Sequence, residues 1–147
     1  MNFDSSDKVA KNFTIGEMAN NKSTEVPKLV ITEKVLVFIE MVQELRDKYG
    51  KSITVNSWYR TRSFNRKCGG SGNSAHLYGL AMDFPAKHTE SERLQMTKMW
   101  EEICKKRGVI GCINYYTNGY HVAAFEDYTH GAKGFAVYDY RGKAGDW

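Results

Sequence analysis

The most informative stretch of the chain runs Ser74-Ala75-His76-Leu77-Tyr78-Gly79-Leu80-Ala81-Met82-Asp83. It places a histidine and an aspartate seven residues apart, with a turn-permitting glycine between them. A second histidine, His121, lies in Tyr120-His121-Val122, a segment with strand character. Two imidazoles and one carboxylate form a ligand set for a borderline-soft divalent ion and leave a fourth position for water. An open position of this kind distinguishes a hydrolytic zinc site from a structural one, which four protein ligands close.

Asp83 follows an apolar run, so its carboxylate is expected to be buried and to need a partner. Either a zinc ion or a cation such as Arg60 would supply that partner. His121 fits an antiparallel neighbouring strand that places its imidazole on the same face as Asp83. A second interpretation has no metal: His76 caps a turn, Asp83 forms a salt bridge and His121 is a hydrogen-bonded core residue.

The composition is that of a soluble globular protein, and we expect one domain covering residues 1–147. Hydrophobic residues make up 41% and charged residues 26% of the chain. The net charge of +4 is mild and is spread among acidic residues, which argues against a nucleic-acid partner. No apolar run approaches the roughly 18 residues of a membrane span. A monomer without membrane insertion is therefore expected.

The predicted compartment agrees with the predicted state of the cysteines. The segment Met1–Asp7 lacks both a basic and an apolar region, so no signal peptide is expected and the predicted location is the cytoplasm. Cys68, Cys104 and Cys112 are odd in number and scattered, which predicts free thiols rather than a disulfide framework or a cysteine zinc cluster.

Capping and periodicity signals predict an α+β fold with a small antiparallel sheet packed against helices. Thr14 and Thr89 begin capping boxes, and Thr32 caps a helix with one apolar stripe. Asn118-Gly119 is a strong hairpin signal. The predicted helices cover about 15–20, 33–48 and the stretch from Thr89 to about Arg107. The predicted strands lie at 53–55, 80–84, 109–116, 120–125 and 135–140.

The segment 74–83 matches the S-x-H-x-x-G-x-A-x-D signature of the zinc D-Ala-D-Ala carboxypeptidase family. That family includes D,D-dipeptidases, phage L-alanyl-D-glutamate endopeptidases and, by fold, the hedgehog signalling domain. Residues 57–62, Ser-Trp-Tyr-Arg-Thr-Arg, resemble the family's S-G-Y-R-S segment, with Trp58 in place of the usual glycine. Residues 69–71 and 13–18 also resemble the family, so the likeness spans roughly 13–125.

The resemblance implies a hedgehog-type peptidase fold with one zinc ion per chain, held by His76, Asp83 and His121. It also implies that Arg60 and Ser74 position the substrate. A guanidinium suits this role because it can hold a carboxylate or carbonyl in a fixed geometry. The alternatives are a surface Arg60 and a turn-forming Ser74.

This chain lacks a carboxylate at the positions where the family has its general base. In active relatives a carboxylate stands three or six residues before the last histidine, where this chain has Asn118 and Tyr115. An amide cannot act as a general base, and a phenol with an ordinary pKa near 10 is a poor one at neutral pH. Glu126 and Asp127, just beyond the hairpin, are the candidate replacements. Their alternative assignment is a solvated loop. The chain would then be either a slow hydrolase without a base, since zinc alone lowers the pKa of its bound water to about 7, or a zinc fold retained for binding.

We therefore expect a zinc metallopeptidase that cleaves the stem peptide of bacterial peptidoglycan, as a D,D-carboxypeptidase or an L,D-endopeptidase. A wall enzyme without a signal peptide suggests a bacteriophage endolysin that accumulates in the host cytoplasm before it reaches the wall. The alternative is a catalytically silent zinc domain that binds the wall or forms part of a virion. The missing carboxylate favours this alternative, whereas Arg60 and Ser74 favour the enzyme.

Overall fold

A four-stranded sheet forms the centre of the protein in a computed structural model that describes residues 6–19, 30–70, 72–125 and 134–147. The helices are α1 (Ile15–Met18), α2 (Glu33–Tyr49), α3 (Arg62–Lys67) and α4 (Glu90–Arg107), with a 3-10 helix at Ala75–Tyr78. The strands are β1 (Lys8–Ala10), β2 (Phe13–Thr14), β3 (Ala81–Pro85), β4 (Gly111–Tyr116), β5 (Gly119–Ala124) and β6 (Ala136–Asp139).

The large sheet has the order β3-β5-β4-β6, and β1 and β2 form a separate two-stranded sheet. β5 pairs antiparallel with both β3 and β4, which confirms the predicted α+β class and its antiparallel sheet. β6 differs, because it runs parallel to β4 and makes that edge of the sheet mixed.

The helix boundaries follow the predicted capping signals. Thr14 and Thr89 both form complete capping boxes, and the Thr32 hydroxyl accepts a hydrogen bond from Val35 N. α2 ends at Gly50, whose φ of 73° is a left-handed conformation that suits glycine. The first helix ends at Met18 rather than at the predicted residue 20, which lies outside the described residues.

The apolar stripe of α2 packs against α4 and against Trp58. The Phe38 ring makes edge-on contacts with Trp58 at 5.8 Å and with Trp100 at 5.9 Å between ring centroids. All three side chains are fully buried. In the described part of the chain no helix is both long and apolar enough to cross a bilayer.

The hairpin turn lies one residue earlier than predicted. β4 ends at Tyr116, the turn is Thr117–Asn118, and Gly119 is the first residue of β5. A Cβ atom at position 119 would lie 2.3 Å from the Phe84 carbonyl oxygen. The glycine therefore serves close strand packing rather than the turn itself.

The predicted strand at 53–55 is wrong. Ile53 and Val55 are buried, as their alternation suggested, but only Ser57 bridges to Asp83. Burial of alternate side chains requires an extended chain, not a full ladder of hydrogen bonds. α3 and the β1–β2 pair were not predicted, because such short elements carry little periodicity.

Candidate metal centre and cleft

His76 is held from both sides by the segment 58–60. Its Nδ1 lies 2.6 Å from the Trp58 carbonyl oxygen, and its own carbonyl accepts a hydrogen bond from Arg60 N at 2.9 Å. The Ser74 hydroxyl caps the 3-10 helix by accepting from His76 N at 3.2 Å. The backbone on either side therefore determines the orientation of this buried imidazole.

Trp58, which replaces the family's usual glycine, anchors the turn that follows His76. Its indole Nε1 donates to the Gly79 carbonyl oxygen at 2.9 Å. Gly79 has a φ of 72° and ends the 3-10 helix in the left-handed conformation. The prediction that Gly79 turns the chain between His76 and Asp83 is confirmed.

Asp83 and His121 face each other directly across the antiparallel β3–β5 pair. The Asp83 carboxylate contacts His121 Nδ1 at 2.6 Å through Oδ1 and His76 Nε2 at 3.2 Å through Oδ2. One ligand atom from each residue lies within 4.8 Å of the others. Burial by itself would raise the pKa of the Asp83 carboxyl, but the two histidines lower it well below its usual range.

The donor set fits a bound cation. A carbonyl oxygen can only accept, so the Trp58 contact fixes the proton of a neutral His76 on Nδ1 and leaves a lone pair on Nε2. Burial lowers the pKa of His76 and favours this neutral form. The Nε2 lone pair then faces a carboxylate lone pair 3.2 Å away. A shared divalent ion would convert this repulsion into two ligand bonds.

Arg60 is mostly buried, and it supports Asp83. Its Nη2 lies 3.4 Å from Asp83 Oδ2, its Nε donates to Ser57 Oγ at 2.9 Å and its Nη1 to Asn65 Oδ1 at 3.4 Å. A guanidinium has five N–H donors, so these contacts leave two of them for another partner. Of the two partners proposed for Asp83, the structure shows the arginine.

An open cleft of about 330 Å³ lies over these residues. Ser74 and the loop residues Cys68, Gly69 and Gly70 line one side, so Ser74 both caps His76 and reaches the cleft. Asn114 and Tyr116 of β4 line the opposite side. Asn114 pairs directly with His121 across the β4–β5 hairpin, which places it on the same face as the candidate ligand.

Residues 140–147, which we call the aromatic wall, form the outer side of the cleft. The Tyr116 ring stacks on Tyr140 at 5.5 Å and on Trp147 at 4.8 Å between centroids. Asp146 fastens this segment to the hairpin by accepting from Thr117 N at 2.6 Å. Thr117 also donates its hydroxyl proton to Asp146 Oδ2 at 2.5 Å. These bonds lower the pKa of Asp146 to about 2.

The remaining histidines and acidic candidates lie elsewhere. His88 contacts the Tyr116 carbonyl oxygen at 2.9 Å and accepts a hydrogen bond from Arg93, so it is a half-buried structural residue. Glu126, Asp127 and His130 lie outside the described residues.

The three cysteines carry free thiols, and only Cys68 is exposed. Burial raises the pKa of Cys104 and of Cys112 to about 12, which keeps both thiols neutral and unsuited to bind metal.

Several residues that shape the cleft were not predicted. The hairpin signal could have identified Asn114, since a two-residue turn at 117–118 puts it opposite His121. Tyr115, at a family base position, lies on the other face of the sheet, where its hydroxyl contacts Thr97. No local signal marks Asn65 or Trp147.

The chain belongs to the peptidase M15 family, because the family model Peptidase M15 matches residues 11–123. Peptidases of this family are zinc-dependent and act on peptidoglycan-type substrates, and the His76, Asp83 and His121 cluster lies within the matched region. No curated protein matches the chain significantly.

Proposed function

We propose that the protein is a zinc metallopeptidase that cleaves the stem peptide of bacterial peptidoglycan. The observation that carries this proposal is the convergence of His76, Asp83 and His121 within 4.8 Å at the base of an open cleft. Three ligands facing a cleft leave room for water and substrate, as a hydrolytic zinc site requires.

A bound zinc ion would supply Lewis-acid activation of water and of the scissile carbonyl. His76 Nε2 is the ligand atom on that ring, because its Nδ1 proton is committed to Trp58. The hydrogen bond that Asp83 Oδ1 accepts from His121 Nδ1 favours the ionised carboxylate. Arg60 orients Asp83 and retains two N–H groups that can hold a substrate carboxylate or carbonyl. The Ser74 hydroxyl proton is free to bond a peptide carbonyl.

The general base is proposed to be Glu126 or Asp127. Both follow β5 directly, five and six residues after His121. The described cleft lining contains one carboxylate, Asp83, which is committed to the two histidines and Arg60. A carboxylate that serves as the base would therefore come from outside that lining.

This shortage of carboxylates also supports a second candidate, a catalytically silent zinc domain that binds the wall or forms part of a virion. We place the enzyme first because the cleft retains free donors on Arg60 and Ser74. Within the enzyme class, we propose the role of a phage endolysin of the D,D-carboxypeptidase or L,D-endopeptidase type, on the resemblance of residues 74–83 to such enzymes.

Digestion of purified peptidoglycan, followed by mass spectrometry of released fragments, tests the function. The zinc-loaded protein should release stem-peptide fragments, and a chelator should stop the release until zinc is restored. The mass of the fragments assigns the bond that is cut. Retention on wall material without any release would favour the silent domain, and neither release nor retention would exclude both.

A further inference from the structure

Asn114 carries a buried hydrogen-bond acceptor that the proposed metal centre does not use. The residue is 3% exposed, and its Oδ1 has no hydrogen-bond partner among the described residues. It lines the cleft and stands opposite His121 in the β4–β5 register. Leaving a buried acceptor unpaired is destabilising, so a ligand that donates a hydrogen bond to Asn114 Oδ1 would gain affinity.

The other end of the same amide bonds the neighbouring phenol. The Asn114 side chain also makes a hydrogen bond to Tyr116. Because Oδ1 has no partner among the described residues, this bond comes from the NH₂ group, which can only donate to the phenol oxygen. The phenol in turn keeps its own O–H proton to donate.

Two aromatic rings stack on the Tyr116 ring and hold it in place. Tyr140 stacks on it with an interplanar angle of 11° and Trp147 with an angle of 22°. Tyr116 lines the same cleft as Asp83 and Arg60. Burial raises the pKa of Tyr116, so the phenol stays protonated at neutral pH.

We infer that Asn114 and Tyr116 form a subsite that recognises one peptide group of the stem peptide, with Asn114 Oδ1 accepting its N–H and the Tyr116 hydroxyl donating to its carbonyl oxygen. A free acceptor beside a free donor is the complement of a peptide bond. Because this subsite faces His121 across the hairpin, it holds the substrate next to the metal centre. The inference rests on the proposed function and assigns positioning residues within it.

Two variants and a set of singly N-methylated stem pentapeptides test this inference. Tyr116→Phe removes the hydroxyl and keeps the stacked ring, and Asn114→Leu removes the whole amide, including the free Oδ1, with little change in volume. The readout is kcat/KM for peptides that are cleaved and calorimetric Kd for those bound without cleavage. Each variant should lose roughly five- to tenfold, as expected for one hydrogen bond.

The N-methylated peptides identify the bond itself. In the wild-type protein, one N-methylation should weaken recognition roughly tenfold, and in Asn114→Leu that same N-methylation should have no further effect. Zinc content and thermal stability should be close to wild type in both variants. Equal N-methyl penalties in wild type and Asn114→Leu would overturn the inference, as would a loss confined to zinc affinity. If the wild type neither binds nor cleaves any stem peptide, the proposed function itself falls.

Discussion

The base of the cleft and the aromatic wall are built by different forces. At the base, backbone hydrogen bonds and strand register determine the positions of His76, Asp83 and His121. In the wall, ring stacking and the carboxylate of Asp146 add to the backbone hydrogen bond from Asn118 N to the Trp147 carbonyl oxygen in holding residues 140–147 against the hairpin. The base lies within the family match at 11–123 and the wall lies beyond it. The candidate metal ligands thus belong to the part of the chain that matches the family, and the wall lies outside that match.

The largest effect is expected from His76→Ala at the base of the cleft. The variant should lose nearly all bound zinc and all hydrolysis, because one of three protein ligands is gone. Its melting temperature should no longer rise with added zinc, since zinc held at a thousand times its Kd stabilises a folded protein by about 4 kcal/mol. Elemental analysis and thermal unfolding with and without zinc measure both effects.

His88→Ala is the matched control for histidine content. It removes an imidazole that bonds the Tyr116 carbonyl and Arg93 but lies outside the ligand cluster. It should retain one zinc ion per chain. Equal zinc in wild type and His76→Ala would exclude the metal centre as assigned.

The general base gives the next largest effect. If Glu126 or Asp127 accepts the proton, replacing that one residue with its amide should lower kcat by roughly 10²–10⁴ and leave zinc bound. The other amide variant serves as the control. If both variants cleave at the wild-type rate, neither residue is the base.

Gly119→Ala probes the junction between base and wall. The added Cβ would lie 2.3 Å from the Phe84 carbonyl oxygen and 2.4 Å from the Trp147 ring. The ring can move, but the β3 backbone cannot without disturbing the neighbouring Asp83. We expect a loss of about 1–3 kcal/mol in the free energy of unfolding, measured by urea titration. Thr117→Ala, in the adjacent turn, lacks this clash and should keep the β3–β5 pairing intact.

The smallest effect concerns the acid sensitivity of the wall. The pKa of Asp146 is about 2 in the folded protein against an ordinary 3.8. The stabilisation that its carboxylate gives the wall is therefore complete above pH 3.8. The contribution is lost as the pH falls from 3.8 through about 2. Trp147 fluorescence should change in this window. Asp146→Asn should abolish the pH dependence, and Trp147→Phe should abolish the signal. A signal unchanged between pH 5 and 2 would contradict the docking by Asp146.

The same contrast explains what could be predicted from the sequence. The metal set was recognisable because His76 and Asp83 belong to one short motif and His121 to a hairpin strand. The capped helices were predictable for a similar reason, since Thr32 and Thr89 act within one turn. The wall depends on contacts of Tyr116 with Tyr140 and Trp147, which lie 24 and 31 positions further along the chain. No local sequence pattern encodes such contacts.

Titration of metal-free protein with zinc, following bound metal and stem-peptide cleavage in the same samples, tests the central claim most directly. We predict that both signals rise together and saturate at one zinc ion per chain, and that His76→Ala shows neither. Zinc binding that saturates at one equivalent with no cleavage of any stem peptide would contradict the peptidase. Absence of zinc binding would contradict the metal centre itself.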